Sequence, residues 1–127
     1  MAKILVIEDD EFILELLSEV LGYEGYAVVC ARTGESGLEL AGAEKPDVVL
    51  CDVFMGGMDG HAVLKAMREA PATREIPVIF LSGQATPEEI EAGFAEGVNG
   101  YLSKPATRDE ILASISGLLE KPPVSGE

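Results

Sequence analysis

The sequence has little positive charge. Nine Lys and Arg residues stand against 23 Asp and Glu residues in a chain of 127, so the formal net charge is −14. A surface of that sign repels nucleic-acid phosphates and anionic lipid headgroups, which argues against direct nucleic-acid binding and against membrane attachment. It suits a partner with a basic surface, or a site that needs a divalent cation.

Long apolar runs and abundant cysteines are also missing. No run approaches the roughly 20 apolar residues that a transmembrane helix needs. Met1-Ala2-Lys3 leads directly into a short apolar run, which is not the pattern of a signal peptide. The two cysteines, Cys30 and Cys51, are too few for a disulfide framework. We therefore expect a cytoplasmic protein whose thiols are both free.

Short apolar runs alternate with segments that carry helical periodicity or helix-capping residues. The runs are continuous rather than alternating, which is typical of strands buried on both faces, and they cover residues 3–7, 26–31, 47–51, 76–81 and 98–102. This alternation predicts an α/β fold with a parallel sheet and right-handed crossovers. We expect one domain over residues 1–120 and a tail or linker over 121–127, where Pro122 and Pro123 interrupt the pattern.

Polar residues end four of the predicted strands. Glu8 and Asp9 follow the first, Asp52 the third, Ser82 the fourth and Lys104 the fifth. The carboxyl ends of parallel strands meet at one edge of a sheet, where ligands bind. Clustered carboxylates favour Mg²⁺, a lysine and a hydroxyl suit a phosphoryl group, and a carboxylate between them can attack phosphorus.

Each of these residues, taken alone, has a simpler interpretation. Asp9 fits a helix cap or a turn, Asp52 and Ser82 fit turns, and Lys104 fits a solvated surface charge. Their joint placement at four strand ends is not required by those interpretations, and it favours a single site.

Five segments resemble the receiver domain of two-component response regulators. They are Lys3-Ile-Leu-Val-Ile-Glu-Asp-Asp-Glu11, Pro46-Asp-Val-Val-Leu-Cys-Asp52, Gly57-Met-Asp-Gly60, Pro77-Val-Ile-Phe-Leu-Ser82 and Gly100-Tyr-Leu-Ser-Lys-Pro105, in the family's order and spacing. The resemblance covers about residues 3–120. It implies a flavodoxin-like, doubly wound fold with five parallel strands in the order 2-1-3-4-5 and helices on both faces.

The resemblance also implies a role for each residue at the metal and acceptor positions. Asp52 would be the phospho-acceptor. Asp9 would bind Mg²⁺ directly and Glu8 through water, and the backbone carbonyl of Phe54 would be the third protein ligand.

Three further positions would respond to the phosphoryl group. Ser82 and Lys104 would contact it, and Tyr101 would be the switch aromatic. The partner-binding surface, and a phosphorylation-dependent dimer interface, would then be the fourth helix, fifth strand and fifth helix.

The implied function is a switch in a phosphorelay, not an enzyme that turns over an external metabolite. A histidine kinase or histidine phosphotransfer protein would donate the phosphoryl group, and a downstream effector protein or domain would bind the phosphorylated form.

Two alternatives stay open. A phosphatase of the haloacid-dehalogenase type would place a second aspartate at position 54, which is Phe54, and an FMN carrier would need a neutral phosphate loop in place of Glu8-Asp9-Asp10.

The chain departs from the usual receiver pattern at three positions. Gly56 replaces a proline and should loosen the loop after Asp52. Ala106 replaces a large apolar residue, and Ser82 replaces the commoner threonine but keeps the hydroxyl.

Three other residues invite a chemical role but have simpler explanations. His61, the only histidine, is expected to be a surface group. Cys30 and Cys51 should both be buried, about 9–10 Å apart with the first strand between them, which is beyond disulfide reach.

Overall fold

Apolar runs and helix caps define the elements of the computed structural model, which describes residues 1–120. The predicted tail at 121–127 lies outside the described residues. The strands are β1 (Lys3–Ile7), β2 (Ala27–Ala31), β3 (Val48–Asp52), β4 (Val78–Ser82) and β5 (Gly100–Ser103). The helices are α1 (Glu11–Tyr23), α2 (Gly34–Glu44), α3 (Gly60–Glu69), α4 (Pro87–Ala95) and α5 (Arg108–Leu119).

All five strands pair in parallel in the order β2-β1-β3-β4-β5, so the predicted fold class and strand order are confirmed. The three inner strands are almost completely buried, whereas β2 and β5 at the edges are half-exposed. Burial on both faces explains why the inner strands are continuous apolar runs.

Side chains of alternate strand residues build two separate cores. Leu5, Val49 and Phe80 face α2 and α3, and Ile4, Leu50 and Ile79 face α1 and α5. The period of two along each strand causes this division. The helices therefore cover both faces of the sheet and leave its carboxyl edge open for a site.

Side-chain caps set where the helices begin. Asp10, Thr33, Asp59, Thr86 and Thr107 each accept a hydrogen bond from a backbone N–H in the first turn of the following helix. Each cap satisfies a donor that the helix itself cannot pair. Asp10 and Asp59 therefore act as the helix caps of α1 and α3, whereas Asp9 and Asp52 cap none of the helices α1–α5.

The two cysteines lie on different strands with β1 between them, as expected, and both are free. Cys51 is buried, but Cys30 is exposed, so the prediction that both are buried was wrong for Cys30. The reason is its strand: β2 is an edge strand, and within residues 1–120 no other strand extends the sheet beyond it. Burial raises the pKa of the Cys51 thiol, and the nearby Asp52 carboxylate adds to that effect.

This difference predicts two reaction rates with a thiol reagent. In the folded protein, one thiol should react at once, because Cys30 is accessible, while Cys51 stays protonated and shielded. In denaturant, without prior reduction, two thiols should react. With a reagent that releases a chromophore on reaction, the absorbance gives the number of reacted thiols in the folded and in the denatured protein. The variant Cys30→Ser should show no rapid phase, and a rapid phase of two thiols in the folded protein would contradict the assignment.

No helix within residues 1–120 is long and apolar enough to cross a membrane.

Candidate functional site

The carboxyl edge of the sheet brings together residues from three strands. β1 is followed by Glu8, β3 ends at Asp52, and Lys104 follows β5. The Lys104 ammonium lies 2.9 Å from Asp52 Oδ1 and 3.2 Å from Glu8 Oε1. Residues separated by up to 96 positions in the chain therefore meet, as the parallel topology predicts.

Three carboxylates at this edge could hold a cation. Glu8, Asp9 and Asp52 each offer an oxygen, and these oxygens lie within 4.8 Å of one another. Glu8 and Asp52 are buried and Asp9 is exposed. An all-oxygen set with one exposed member fits Mg²⁺, which prefers carboxylates and keeps several of its waters.

The charges at the site perturb one another. Burial raises the pKa of both the Glu8 and the Asp52 carboxyl, and Lys104 only partly offsets this effect. Burial by itself would lower the pKa of Lys104, but its contacts with the Asp52 and Glu8 carboxylates outweigh burial and raise it. The site therefore holds more negative charge than one ammonium neutralises, which is the condition under which a divalent cation binds favourably.

The loop after Asp52 is tied to the metal-ligating candidates by a contact that sequence reasoning missed. The backbone N–H of Gly56 donates to Asp9 Oδ2 at 3.1 Å. Proline has no N–H and could not make this bond. Gly56 was expected only to loosen the loop, but here it orients Asp9. The Phe54 side chain points outward and is about half-exposed.

Gly60 is a second residue whose importance was not predicted. A Cβ at this position would lie 2.7 Å from the carbonyl oxygen of Asp52 and 2.8 Å from the Cα of Val53. Only glycine allows the first turn of α3 to approach the backbone of Asp52 so closely. The Gly57-Met-Asp-Gly60 motif carried this signal, since Asp59 caps α3 and Gly60 permits the approach.

Ser82 and Tyr101 lie on the neighbouring strands β4 and β5. Ser82 is fully buried, and its Oγ accepts the N–H of Gln84, which leaves the hydroxyl proton available to another acceptor. The Tyr101 ring packs edge-on against Phe80, with ring centroids 5.8 Å apart, and lies over Gly93 of α4. Its hydroxyl is buried, with no hydrogen-bond partner among the described residues. Tyr101 thus adopts the inward position in this structure.

Comparison with known families agrees with this geometry. The protein-family model described as "Response regulator receiver domain" matches residues 4–116. The chain belongs to this family. It is accordingly a receiver domain of two-component systems, and the predicted resemblance is confirmed.

Similar proteins include curated response regulators. The response regulator MprA of Mycolicibacterium vanbaalenii is 34% identical over 119 residues, which are 94% of this chain and 51% of that protein. The chain spans about half the length of the curated relatives it matches.

Solved structures resemble the receiver domain along nearly its whole length. The chemotaxis protein CheY4 of Vibrio cholerae superposes with a TM-score of 0.88 at 31% identity, covering 93% of this chain and 98% of the other. A putative response regulator from Chloroflexus aurantiacus gives a TM-score of 0.88 at 33% identity, with coverage of 94% and 98%.

Proposed function

We propose that this receiver domain accepts a phosphoryl group on Asp52 from a phosphohistidine, with Mg²⁺ bound at the same edge of the sheet. The observation that carries the proposal is the arrangement around Asp52. Its carboxylate lies in a cluster of three acids, and the Lys104 ammonium contacts it at 2.9 Å. A nucleophilic oxygen, a cation site and a fixed positive charge are the parts that phosphoryl transfer requires.

In the proposed reaction, a carboxylate oxygen of Asp52 attacks phosphorus. A P–O bond forms, the P–N bond of the donor breaks, and the imidazole keeps the electron pair and takes a proton from water. Asp9, Asp52 and the Phe54 carbonyl would hold Mg²⁺, with Glu8 acting through water. Bound Mg²⁺ supplies positive charge that offsets the charge on the transferred oxygens.

Two side chains of this chain would act on the phosphorylated form. Lys104 would pair with a phosphoryl oxygen, and Ser82 would donate its hydroxyl proton to another. Movement of Ser82 would alter the packing of Tyr101 on the neighbouring strand, and the surface of α4, β5 and α5 would change with it. A downstream effector, or a second copy of the chain, would bind that surface.

The partners follow from the same proposal. A histidine kinase or histidine phosphotransfer protein donates the phosphoryl group, and the effector is a separate protein or a further domain. We place the receiver domain at residues 1–120, with 121–127 as tail or linker. That boundary is compatible with relatives about twice as long, in which the matched region is only part of the protein.

The test is labelling by a small phosphodonor such as acetyl phosphate. With Mg²⁺, intact-mass spectrometry should show one added phosphoryl group, and a chelator should abolish the addition until Mg²⁺ is restored. Metal-independent labelling would contradict the proposal. Turnover of a small phosphate ester would support the phosphatase alternative instead, and a copurified yellow flavin would support the FMN carrier.

Metal dependence should weaken when a proposed ligand is changed. In Asp9→Asn the Mg²⁺ concentration for half-maximal labelling should rise about tenfold or more, because the amide loses the anionic ligand. The neighbouring Asp10→Asn is the matched control: asparagine caps α1 as well as aspartate does, so its metal requirement should not change. Equal requirements in both variants would remove Asp9 from the metal site.

A further inference from the structure

Helix α4 has few side chains that hold it on the domain. Of its residues, Pro87–Ala95, only Gly93 is buried, and Phe94 is about half-exposed. The Tyr101 ring covers Gly93, which gives α4 one close contact near its carboxyl-terminal end. A helix that buries so little apolar surface needs other contacts to fix its position.

Polar contacts from α3 supply that restraint, and they all lie at one end of α4. His61, the second residue of α3, places its Nδ1 2.6 Å from Oε1 of Glu96, the C-cap residue of α4. About two turns further along α3, Arg68 donates to the carbonyl oxygen of Gly97 and to the side-chain oxygen of Asn99. These contacts join the carboxyl-terminal end of α4 to α3.

The chemistry of the His61 contact fixes where its proton lies. A glutamate carboxylate only accepts hydrogen bonds, so the His61 nitrogen beside it must carry the hydrogen. This holds for the neutral ring and for the charged ring alike. His61 was expected to be a plain surface group, but the ring also packs edge-on against the buried Phe80, with centroids 5.2 Å apart.

Phe80 connects this contact with the switch aromatic. Its ring touches His61 at 5.2 Å and Tyr101 at 5.8 Å, and both contacts are edge-to-face. Tyr101 in turn covers Gly93 of α4. The helix is therefore held near its carboxyl-terminal end by two residues, His61 through Glu96 and Tyr101 over Gly93, and Phe80 packs against both rings.

We propose that His61 and Glu96 form a latch that fixes the carboxyl-terminal end of α4 to α3. The amino-terminal end of α4, which begins five residues after Ser82 along the chain, is then the end that moves. The latch belongs to the unphosphorylated protein, so it can be tested whether or not Asp52 accepts a phosphoryl group.

The first test uses the ring of His61, whose signals need no assignment because the chain has one histidine. Long-range ¹H–¹⁵N NMR distinguishes the protonation states of the two ring nitrogens. We expect Nδ1 to carry a proton, because it lies 2.6 Å from the Glu96 carboxylate oxygen, which can only accept. In Glu96→Ala, which removes the acceptor, the neutral ring should shift toward the Nε2–H tautomer. A bare Nδ1 in the native protein would overturn the latch.

The second test measures hydrogen exchange of the α4 amides in the same unphosphorylated protein. Both His61→Ala and Glu96→Ala should speed exchange in the last turn of α4 about fivefold, the effect of losing one hydrogen bond. Exchange in α2 should stay constant. His61→Asn should restore part of the protection, since its amide N–H can donate from about the position of Nδ1.

Glu91→Ala is the matched control, because Glu91 is an exposed glutamate of the same helix that makes no ion pair within residues 1–120. It should leave exchange in the last turn unchanged. Equal acceleration in Glu91→Ala and Glu96→Ala, or none in either, would overturn the latch. If His61→Ala disturbs the packing of Phe80 and unfolds the protein, Glu96→Ala still decides, because Glu96 is exposed.

Discussion

Asp52→Asn should abolish labelling by a phosphodonor completely. The amide has nearly the shape of the carboxylate but no nucleophilic oxygen anion, so no acyl phosphate forms. Asp52 is only 4% exposed, and a substitution of equal size avoids leaving a cavity at this buried position. Intact-mass spectrometry after incubation with acetyl phosphate and Mg²⁺ should show one phosphoryl group on the wild type and none on the variant.

Asp59→Asn is the matched control for this assignment. Asp59 lies on the same loop, and its side chain caps α3 by accepting the N–H of Ala62. Asparagine caps a helix equally well, so the variant should fold and label like the wild type. If Asp52→Asn still acquired the label, or if Asp59→Asn lost it, the acceptor would have to be sought elsewhere.

Lys104→Met should lower the metal-free free energy of unfolding by about 2 kcal/mol near neutral pH. The substitution keeps the aliphatic length of the side chain and removes the ammonium that contacts Asp52 and Glu8. Two buried carboxylates would then lack a cationic partner. The expected loss is smaller than the roughly 3–5 kcal/mol for breaking a fully buried pair, because the Lys104 side chain is 26% exposed. Urea denaturation in the presence of a chelator measures it.

The loss of unfolding free energy in Lys104→Met should become smaller as the pH falls. Burial raises the pKa of Glu8 and Asp52 in the folded protein, so the folded state binds their protons more tightly than the unfolded chain. The resulting stabilisation is fully present below the ordinary carboxyl pKa of about 4, and is lost as the pH rises through the folded values. Without Lys104 those values rise further, so Lys104→Met should approach the wild type in stability as the pH falls toward 4.

Two comparisons separate this electrostatic effect from general damage. Lys65→Met changes an exposed lysine of α3 and should cost little at any pH. Adding Glu8→Gln to Lys104→Met should recover part of the loss, because one unpaired carboxylate is removed. A deficit that stayed constant between neutral pH and pH 4 would show that Lys104 acts by packing rather than by charge.

The helices and strands were predictable because their signals are local. A strand buried on both faces must be a continuous apolar run, and the runs that form β1, β3 and β4 were identified on that ground. Strand bounds differed by as much as two residues. The run beginning at Val98 forms a strand only from Gly100, where pairing with Ile79 of β4 begins.

The strand order came from the resemblance to receiver domains rather than from periodicity, and the structure confirms it. Once that order holds, Glu8, Asp52 and Lys104 must converge, since each comes at the carboxyl end of a parallel strand. Their positions at strand ends, together with that order, sufficed to group them.

The features that the sequence did not predict all depend on contacts between segments that are distant in the chain, and local sequence patterns carry no information on such contacts. The exposure of Cys30 depends on β2 being an edge strand. The hydrogen bond from Gly56 to Asp9 depends on how the loop after β3 lies against the loop after β1. The pairing of His61 with Glu96 depends on the placement of α4 against α3. The sequence by itself determined the secondary structure and the polar residues that end the strands, because apolar periodicity and strand-end residues are properties of single segments. Only the tertiary structure decided exposure and hydrogen-bond partners, because those arise from the packing of segments distant in the chain.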